Sequence, residues 1–201
     1  LSAAQLGKLN SSQLQALTTG QVRVLSATQL DALTTAQIDS LSTKQINTLT
    51  ASQVSALTSA GNTGEVAKLT TAQIQAISAS AVTGLTSDQI KVMDSAQLQS
   101  LTTVQVKVLS TDQMTALTSV QMNKLTSQQM SVLTASQFTA LVANTTEMKT
   151  LSTDQIRGLS NSVLTSITST NLQVMTTDQI QALSTSQVKA LTAAQITNLT
   201  T

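Results

Sequence analysis

The sequence predicts an all-α fold, a tight α-solenoid of about two dozen octapeptide repeats with one short capped helix per repeat. Three observations lead to this prediction. The pattern Leu-(Ser/Thr)-x-x-Gln-aliphatic-x-x recurs every eight residues, as at 33–40. Its second position holds residue types that begin helices, and its fifth position can complete a capping box. A repeat this short cannot bury its own apolar side chains, so the repeats must stack.

The period of eight excludes one continuous helix. Eight residues at 100° each advance 800°, so the apolar position would drift by about 80° per repeat and no fixed apolar stripe would form. We therefore expect the chain to turn once in every octad.

The second and fifth positions together predict the start of each helix. The second position of the regular octads holds Ser or Thr, with Asn10 and Asp94 as variants, and all four residue types are preferred helix N-caps. Three residues later comes Gln in 19 octads, for example Gln21 and Gln105. Such a Gln reaches back to the backbone N–H of the cap residue and completes a capping box.

The first and sixth positions supply the apolar side chains. They precede the cap and follow the Gln, which are the two positions that contact each other in a hydrophobic staple, as Leu85 with Ile90 would. Acidic residues at Asp88 and Asp112 fall two residues after the cap, where the helix dipole favours negative charge. Both features support one short helix per octad.

A β-solenoid is the alternative fold. Thr, Val and Ile favour strands, and stacked Gln side chains can form ladders. Against it, the Leu and the aliphatic residue are five apart and would face opposite sides of a strand.

We predict a single continuous repeat array over 1–201, with longer irregular units at 57–68 and 141–150. Because both ends of the chain lie within the pattern, we expect it to be a piece of a longer array.

In each long unit the fifth-position Gln is replaced by Glu. The sequences Asn62-Thr63-Gly64-Glu65 and Asn144-Thr145-Thr146-Glu147 still predict capping boxes, which places the extra residues in the turns. A tolerated loop insertion is the favoured interpretation, and a contact loop or a carboxylate in a cation site is the functional one. Three further units lose the Gln, at Ala81, Val163 and Asn171.

The amino-acid composition argues against catalysis, metal binding and nucleic-acid binding. The chain has no Cys, His, Trp, Tyr or Pro, and its nine acidic residues are scattered. We therefore predict that it is not an enzyme, and we predict no catalytic, cofactor-binding or metal-ligating residue and no cofactor. Ten basic residues leave a net charge of +1 and form no basic stripe for nucleic acid. No apolar run is long enough to span a membrane.

The stretch 101–109, Leu-Thr-Thr-Val-Gln-Val-Lys-Val-Leu, resembles the first short helix of transcription-activator-like effector repeats. That resemblance implies a helical octad. The second helix and the base-reading loop of that family have no counterpart in eight residues, so nucleic-acid binding is disfavoured, as is ice binding by the irregularly placed Thr side chains.

Over its whole length the chain resembles the short-period, Ser/Thr/Gln-rich repeat regions of large secreted bacterial surface or adhesin-type proteins. This resemblance implies an extracellular or cell-surface fibre, stalk or filament built by repeat stacking, with self-association head to tail or laterally. The alternative is a solenoid spacer, or a scaffold for a protein or surface partner, within a larger adhesin.

Overall fold

The computed structural model describes residues 1–57 and 63–199. In that part of the chain every regular element is a helix, and 66% of the described residues are helical. The prediction of an all-α repeat solenoid is confirmed, and the β-solenoid alternative has no support among the described residues.

The chain divides into two compact units, Leu1–Val108 and Leu109–Thr201. The helices of the first unit are α1 (Ala3–Leu6), α2 (Ser11–Gln15), α3 (Thr19–Arg23), α4 (Ala27–Asp31), α5 (Thr35–Asp39), α6 (Thr43–Asn47), α7 (Ala51–Ser55), the 3-10 helix η1 (Thr63–Lys68), α8 (Thr71–Ala76), α9 (Ala79–Val82), α10 (Ser87–Val92), α11 (Ser95–Ser100) and α12 (Thr103–Lys107).

The second unit has the same kind of helix throughout. Its helices are α13 (Thr111–Thr115), α14 (Ser119–Met122), α15 (Ser127–Ser131), α16 (Ala135–Leu141), α17 (Thr145–Thr150), α18 (Thr153–Gly158), α19 (Asn161–Ser166), α20 (Ser169–Gln173), α21 (Thr177–Gln181), α22 (Thr185–Ala190) and α23 (Ala193–Leu199).

Each regular helix begins with the predicted capping box. At α12, Thr102 Oγ1 accepts a hydrogen bond from Gln105 N at 3.2 Å, and Thr102 N donates to Gln105 Oε1 at 2.7 Å. The reciprocal pair is present at α1 with Ser2 and Gln5, and at α23 with Thr192 and Gln195. These bonds satisfy first-turn N–H groups that a short helix otherwise leaves unpaired.

Each regular helix ends where the next octad begins. The N–H of the first-position residue donates to the carbonyl oxygen three residues earlier, as from Leu33 to Leu30 at 3.0 Å and from Leu125 to Met122 at 3.1 Å. This tighter bond closes the last turn of the helix. The next residue has an extended backbone, for example Thr34 with ψ of 159°, and it caps the following helix.

Within each unit, a helix packs on the helix three places earlier in the chain. In the first unit α4 packs on α1, α5 on α2 and α12 on α9; in the second unit α16 packs on α13 and α23 on α20. The helix η1 keeps this order, because it packs on α5 and is covered by α10. The long unit 57–68 therefore counts as one place in the stack.

The core of each unit consists of first-position and sixth-position side chains. In the first unit Leu33 is 1% exposed and Ile38 is 0% exposed. In the second unit the single aromatic residue, Phe138, occupies a sixth position and is buried. Position along the octad thus determines which side chains are removed from water.

The irregular units partly follow the prediction. The capping box of Asn144 and Glu147 is confirmed, and the extra residues lie between α16 and α17. Asn62 lies outside the described residues, and Glu65 lies in the 3-10 helix η1. The units with Ala81, Val163 and Asn171 keep the N-cap bond without the return bond from position five.

Gly84 marks a close approach between elements. A Cβ added there would lie 2.0 Å from the backbone oxygen of Ala51, whereas at Gly20, in α3, the nearest atom would be Thr18 Oγ1 at 3.9 Å. We expect Gly84→Ala to lower the free energy of unfolding by about 1–3 kcal/mol because the backbone must shift. We expect the matched control Gly20→Ala to raise it by about 0.5–1 kcal/mol through helix propensity. Urea unfolding followed by circular dichroism measures both, and equal effects at the two sites would contradict the packing.

Candidate functional site: a ladder of buried glutamines

The fifth-position Gln side chains make a second set of hydrogen bonds, between turns of the solenoid. In the first unit Gln105 Nε2 donates to the carbonyl oxygens of Ile74 at 2.8 Å and Ile77 at 2.7 Å. In the second unit Gln179 Nε2 donates to those of Met148 at 2.9 Å and Leu151 at 2.8 Å. In both cases the acceptors precede the Gln by 31 and 28 residues.

We call the side chains that make such bonds the glutamine ladder. Gln29, whose Nε2 donates to Leu1 O, is a half-buried member in the first unit. The buried members with described acceptors have exposures between 0% and 5%. They are Gln37, Gln45, Gln53, Gln73, Gln89, Gln97 and Gln105 in the first unit and Gln137, Gln155, Gln179, Gln187 and Gln195 in the second.

Each ladder member joins two layers of the stack. Its Oε1 caps its own helix, and its Nε2 binds carbonyl oxygens at the carboxyl end of a helix four places earlier. Those carbonyls have no complete set of partners within their own helix. A buried amide in this position therefore satisfies polar groups on both sides, which is the condition for burying them without a large cost.

Asn171 shows how a shorter amide fits the same place. Its N-cap bond is intact, and its Nδ2 donates to Val142 O at 3.3 Å, in the same direction as a ladder Gln. The substitution keeps the bond between turns while it loses the capping box.

The ladder stops at one surface of the first unit. Gln5, Gln13 and Gln21 form their capping boxes but are exposed, and their Nε2 atoms have no carbonyl acceptor among the described residues. The first-position residues Leu9 and Leu17 are half-buried there. We call this surface the amide face, formed by Gln5, Gln13, Gln21, Leu9 and Leu17.

A complementary surface lies in the second unit. The sixth-position residues Val188 and Ile196 are 45% and 42% exposed, although this position is elsewhere part of the core. The carbonyl oxygens of Met175, Leu183 and Leu191 correspond to ladder acceptors, and no side-chain amide among the described residues donates to them. We call this surface the carbonyl face, formed by these five residues.

One buried fifth position of the first unit holds a carboxylate in place of a ladder Gln. Glu65 is 4% exposed, and its Oε1 accepts a hydrogen bond from Thr35 Oγ1 at 2.7 Å. Its Oε2 is buried without a hydrogen-bond partner. Glu147, the other predicted carboxylate, is half-buried and accepts from Asn144 N at 3.2 Å. The two fifth-position carboxylates thus differ in burial and in hydrogen bonding.

Asp39 lies within electrostatic range of Glu65. Desolvation raises the pKa of the Asp39 carboxyl group above its usual value, the negative charge of Glu65 adds to the rise, and the ammonium group of Lys68 opposes it. Asp39 itself is exposed, whereas Glu65 is buried.

Two other features that bear on function are metal-ligand clusters and membrane-spanning helices. No group of three or more His, Cys, Asp or Glu side chains in residues 1–57 and 63–199 is placed to hold a metal ion. The same part of the chain contains no helix with the length and apolarity needed to cross a membrane.

The predicted capping role of the fifth-position Gln is confirmed, whereas its hydrogen bonds between turns were not predicted from the sequence. The sequence carries a signal for these bonds, because Glu completes a capping box equally well and yet Gln fills the position in 19 octads. A requirement for the amide hydrogens explains that preference.

Comparison with known proteins identifies the repeat. A family model described as the ALTTAQ repeat matches four segments, 7–43, 25–59, 90–127 and 164–201, which together cover more than half of the chain. Each match spans more than four octads, and hence more residues than the 28–31 that separate a ladder Gln from its acceptors in a run of regular octads. No curated protein matches the chain.

Replacement of a ladder Gln by Glu separates its two roles. We expect Gln105→Glu to keep the capping box but to lower the free energy of unfolding by about 3 kcal/mol or more, because a buried carboxylate cannot donate to Ile74 and Ile77. We expect the matched control Gln13→Glu to change it by less than about 0.5 kcal/mol, since its Nε2 has no acceptor. Thermal and urea unfolding measure both, and similar losses would show that the bond between turns is not needed.

The raised pKa of Asp39 gives a stability effect with a defined sign. A folded-state pKa above the unfolded value means that ionised Asp39 opposes folding at neutral pH, and that this penalty disappears as the pH falls toward 3.8. We expect Asp39→Asn to raise Tm at pH 7 in EDTA, with the gain shrinking below the folded-state pKa. The control Asp112→Asn, in the first turn of α13, should instead lower Tm slightly through the helix dipole. A pH-independent gain at Asp39 would contradict the assignment.

Proposed function

The chain belongs to the ALTTAQ repeat family, and from this premise we propose that it is a structural protein that builds an extracellular fibre, stalk or filament by head-to-tail repeat stacking. Its tandem repeats form a structural repeat scaffold. The fibre and its location outside the cell are the proposed steps.

The match between the amide face and the carbonyl face carries the proposal. The amide face presents the Nε2 donors of Gln5, Gln13 and Gln21, and the carbonyl face presents acceptors of the kind that ladder members bind in the interior. Interior Gln side chains make such bonds at ordinary hydrogen-bond distances, as Gln187 does with Ile156 at 3.0 Å and Leu159 at 2.9 Å. A second copy can therefore repeat an interaction that already holds the turns together.

The apolar side chains of the two faces support the same association. Val188 and Ile196 are about half exposed, while the equivalent Ile156 is 0% exposed beneath the next turn. The half-buried Leu9 and Leu17 of the amide face can cover them, and burial of apolar area contributes about 25 cal/mol per Å². Polar and apolar groups thus favour the same stacking.

Joining the two different faces generates an open assembly. The contact is heterologous, because a surface of one copy meets a different surface of the next copy, and such contacts produce filaments unless the rotation closes a ring. The location outside the cell is supported by the resemblance to secreted surface repeats, which are likewise rich in Ser and Thr and low in charge. We propose a structural rather than a catalytic role because the chain has no His or Cys and its acidic residues are scattered.

The experiment uses the 201-residue chain in sedimentation velocity over a concentration series, with cryo-electron microscopy of the same samples. We expect the size of the wild-type assemblies to increase with concentration. We expect Val188→Lys, which places a charge on the carbonyl face, to remain monomeric. The matched control Val104→Lys alters a 62% exposed side chain of α12 that belongs to neither face, and it should assemble like the wild type.

A wild-type chain that stays monomeric at all concentrations would contradict the filament and favour the spacer or scaffold. Assembly that survives Val188→Lys but is lost in Val104→Lys would show lateral association instead. Labelling of intact source cells with a membrane-impermeant amine reagent tests the location, since an interior protein would stay unlabelled.

A further inference from the structure

Glu65 occupies a buried fifth position, where regular octads carry a ladder Gln. The side chain is 4% exposed, and its Oε2 has no hydrogen-bond partner. A buried carboxylate oxygen without a partner is costly, and such a group requires a proton, a hydrogen-bond donor or a cation.

The neighbouring ladder members define the backbone oxygens that correspond to Glu65. Gln53 Nε2 donates to Val22 O at 3.1 Å and Leu25 O at 2.8 Å, while Gln73 Nε2 donates to Asp39 O at 3.0 Å and Leu41 O at 2.8 Å. Residues 26–38 lie between these two acceptor sets.

By this register, Glu65 corresponds to the carbonyl oxygens of Leu30 and Leu33. A ladder Gln in its place would donate two amide hydrogens to such oxygens. An ionised carboxylate has no hydrogen to donate, so its oxygens and the carbonyl oxygens would repel each other. The same arrangement of oxygens suits a bound cation.

Among the described residues, no basic side chain forms an ion pair with Glu65. The pairs of Lys91 with Asp88 and of Arg157 with Asp154 lie elsewhere in the chain. Lys68 is exposed and follows Glu65 in η1, and its charge acts on Asp39 at longer range.

We propose that Glu65 is the anionic ligand of a calcium site, which the carbonyl oxygens of Leu30 and Leu33 and the carboxylate of Asp39 complete. Thr35 Oγ1 holds Glu65 through the bond to Oε1 and leaves Oε2 for the ion. The site joins η1 to the preceding turn, as an amide does elsewhere in the ladder. It stands independently of the proposed filament.

The ligand set favours calcium over other common ions. Calcium accepts carboxylate and backbone carbonyl oxygens in irregular geometries, whereas magnesium requires a near-octahedral shell and retains water. Zinc prefers thiolate and imidazole ligands, which this chain lacks. With two carboxylates in the set, we expect a Kd of about 10⁻⁴–10⁻³ M, the range of extracellular calcium modules.

The test is thermal unfolding of the full chain in EDTA and in a CaCl₂ series, with MgCl₂ and NaCl at matched ionic strength. We expect calcium at about ten times Kd to raise the wild-type Tm by about 3–6 °C, with little effect of magnesium or sodium. Isothermal titration with CaCl₂ should give one site per chain.

Two variants make the result specific. Glu65→Gln restores the amide, so its Tm in EDTA should exceed that of the wild type and calcium should not change it. Glu147→Gln alters the half-buried carboxylate of the other long unit and should keep the full calcium response. A wild-type Tm that calcium does not change would overturn the calcium site. This holds even if lowering the pH raises the Tm, because a proton on Glu65 would then take the place of the ion. A calcium response that survives Glu65→Gln would overturn it as well.

Discussion

A buried amide that bonds in two directions holds each unit of this protein together. The Oε1 of Gln105 accepts from the N-cap of its own helix at 2.7 Å, and the Nε2 donates to carbonyl oxygens of an earlier turn. The first bond makes a helix of five or six residues possible, because it satisfies N–H groups at its amino end. The second fixes where the previous turn must lie. One side chain thus connects local and tertiary structure.

These two hydrogen bonds explain why the fifth position of the repeat varies so little, while the apolar sixth position varies widely. The sixth position accepts Ile, Val, Leu, Met and Phe138, because burial of apolar area depends weakly on side-chain shape when neighbours can repack. The fifth position has a stricter requirement, namely an acceptor and a donor on one planar group of fixed reach. Asn171 meets half of that requirement, and Ala81 meets none and leaves only the N-cap bond.

The irregular units show what the stack does and does not require. The unit at 57–68 is twelve residues long, yet η1 packs on α5 and below α10 as one ordinary place in the order. Chain length in a turn is therefore of little consequence, whereas the chemistry of the fifth position is of great consequence. Glu65 removes the donor from a buried place, and this is where the stack acquires a chemical property that the regular repeats lack.

The helical octad, its boundaries and its core positions follow from the sequence alone, because capping boxes such as Thr102 with Gln105 and the Leu and aliphatic positions are local features separated by a few residues. The tertiary structure adds that helices three places apart pack together, that Gln side chains bind carbonyls 28–35 residues away, and that Glu65 is buried while Glu147 is half-buried. These properties depend on the angle through which each turn rotates the next helix. A small change in that angle, repeated at every octad, would bring a different helix into contact, and the local sequence pattern does not specify the angle.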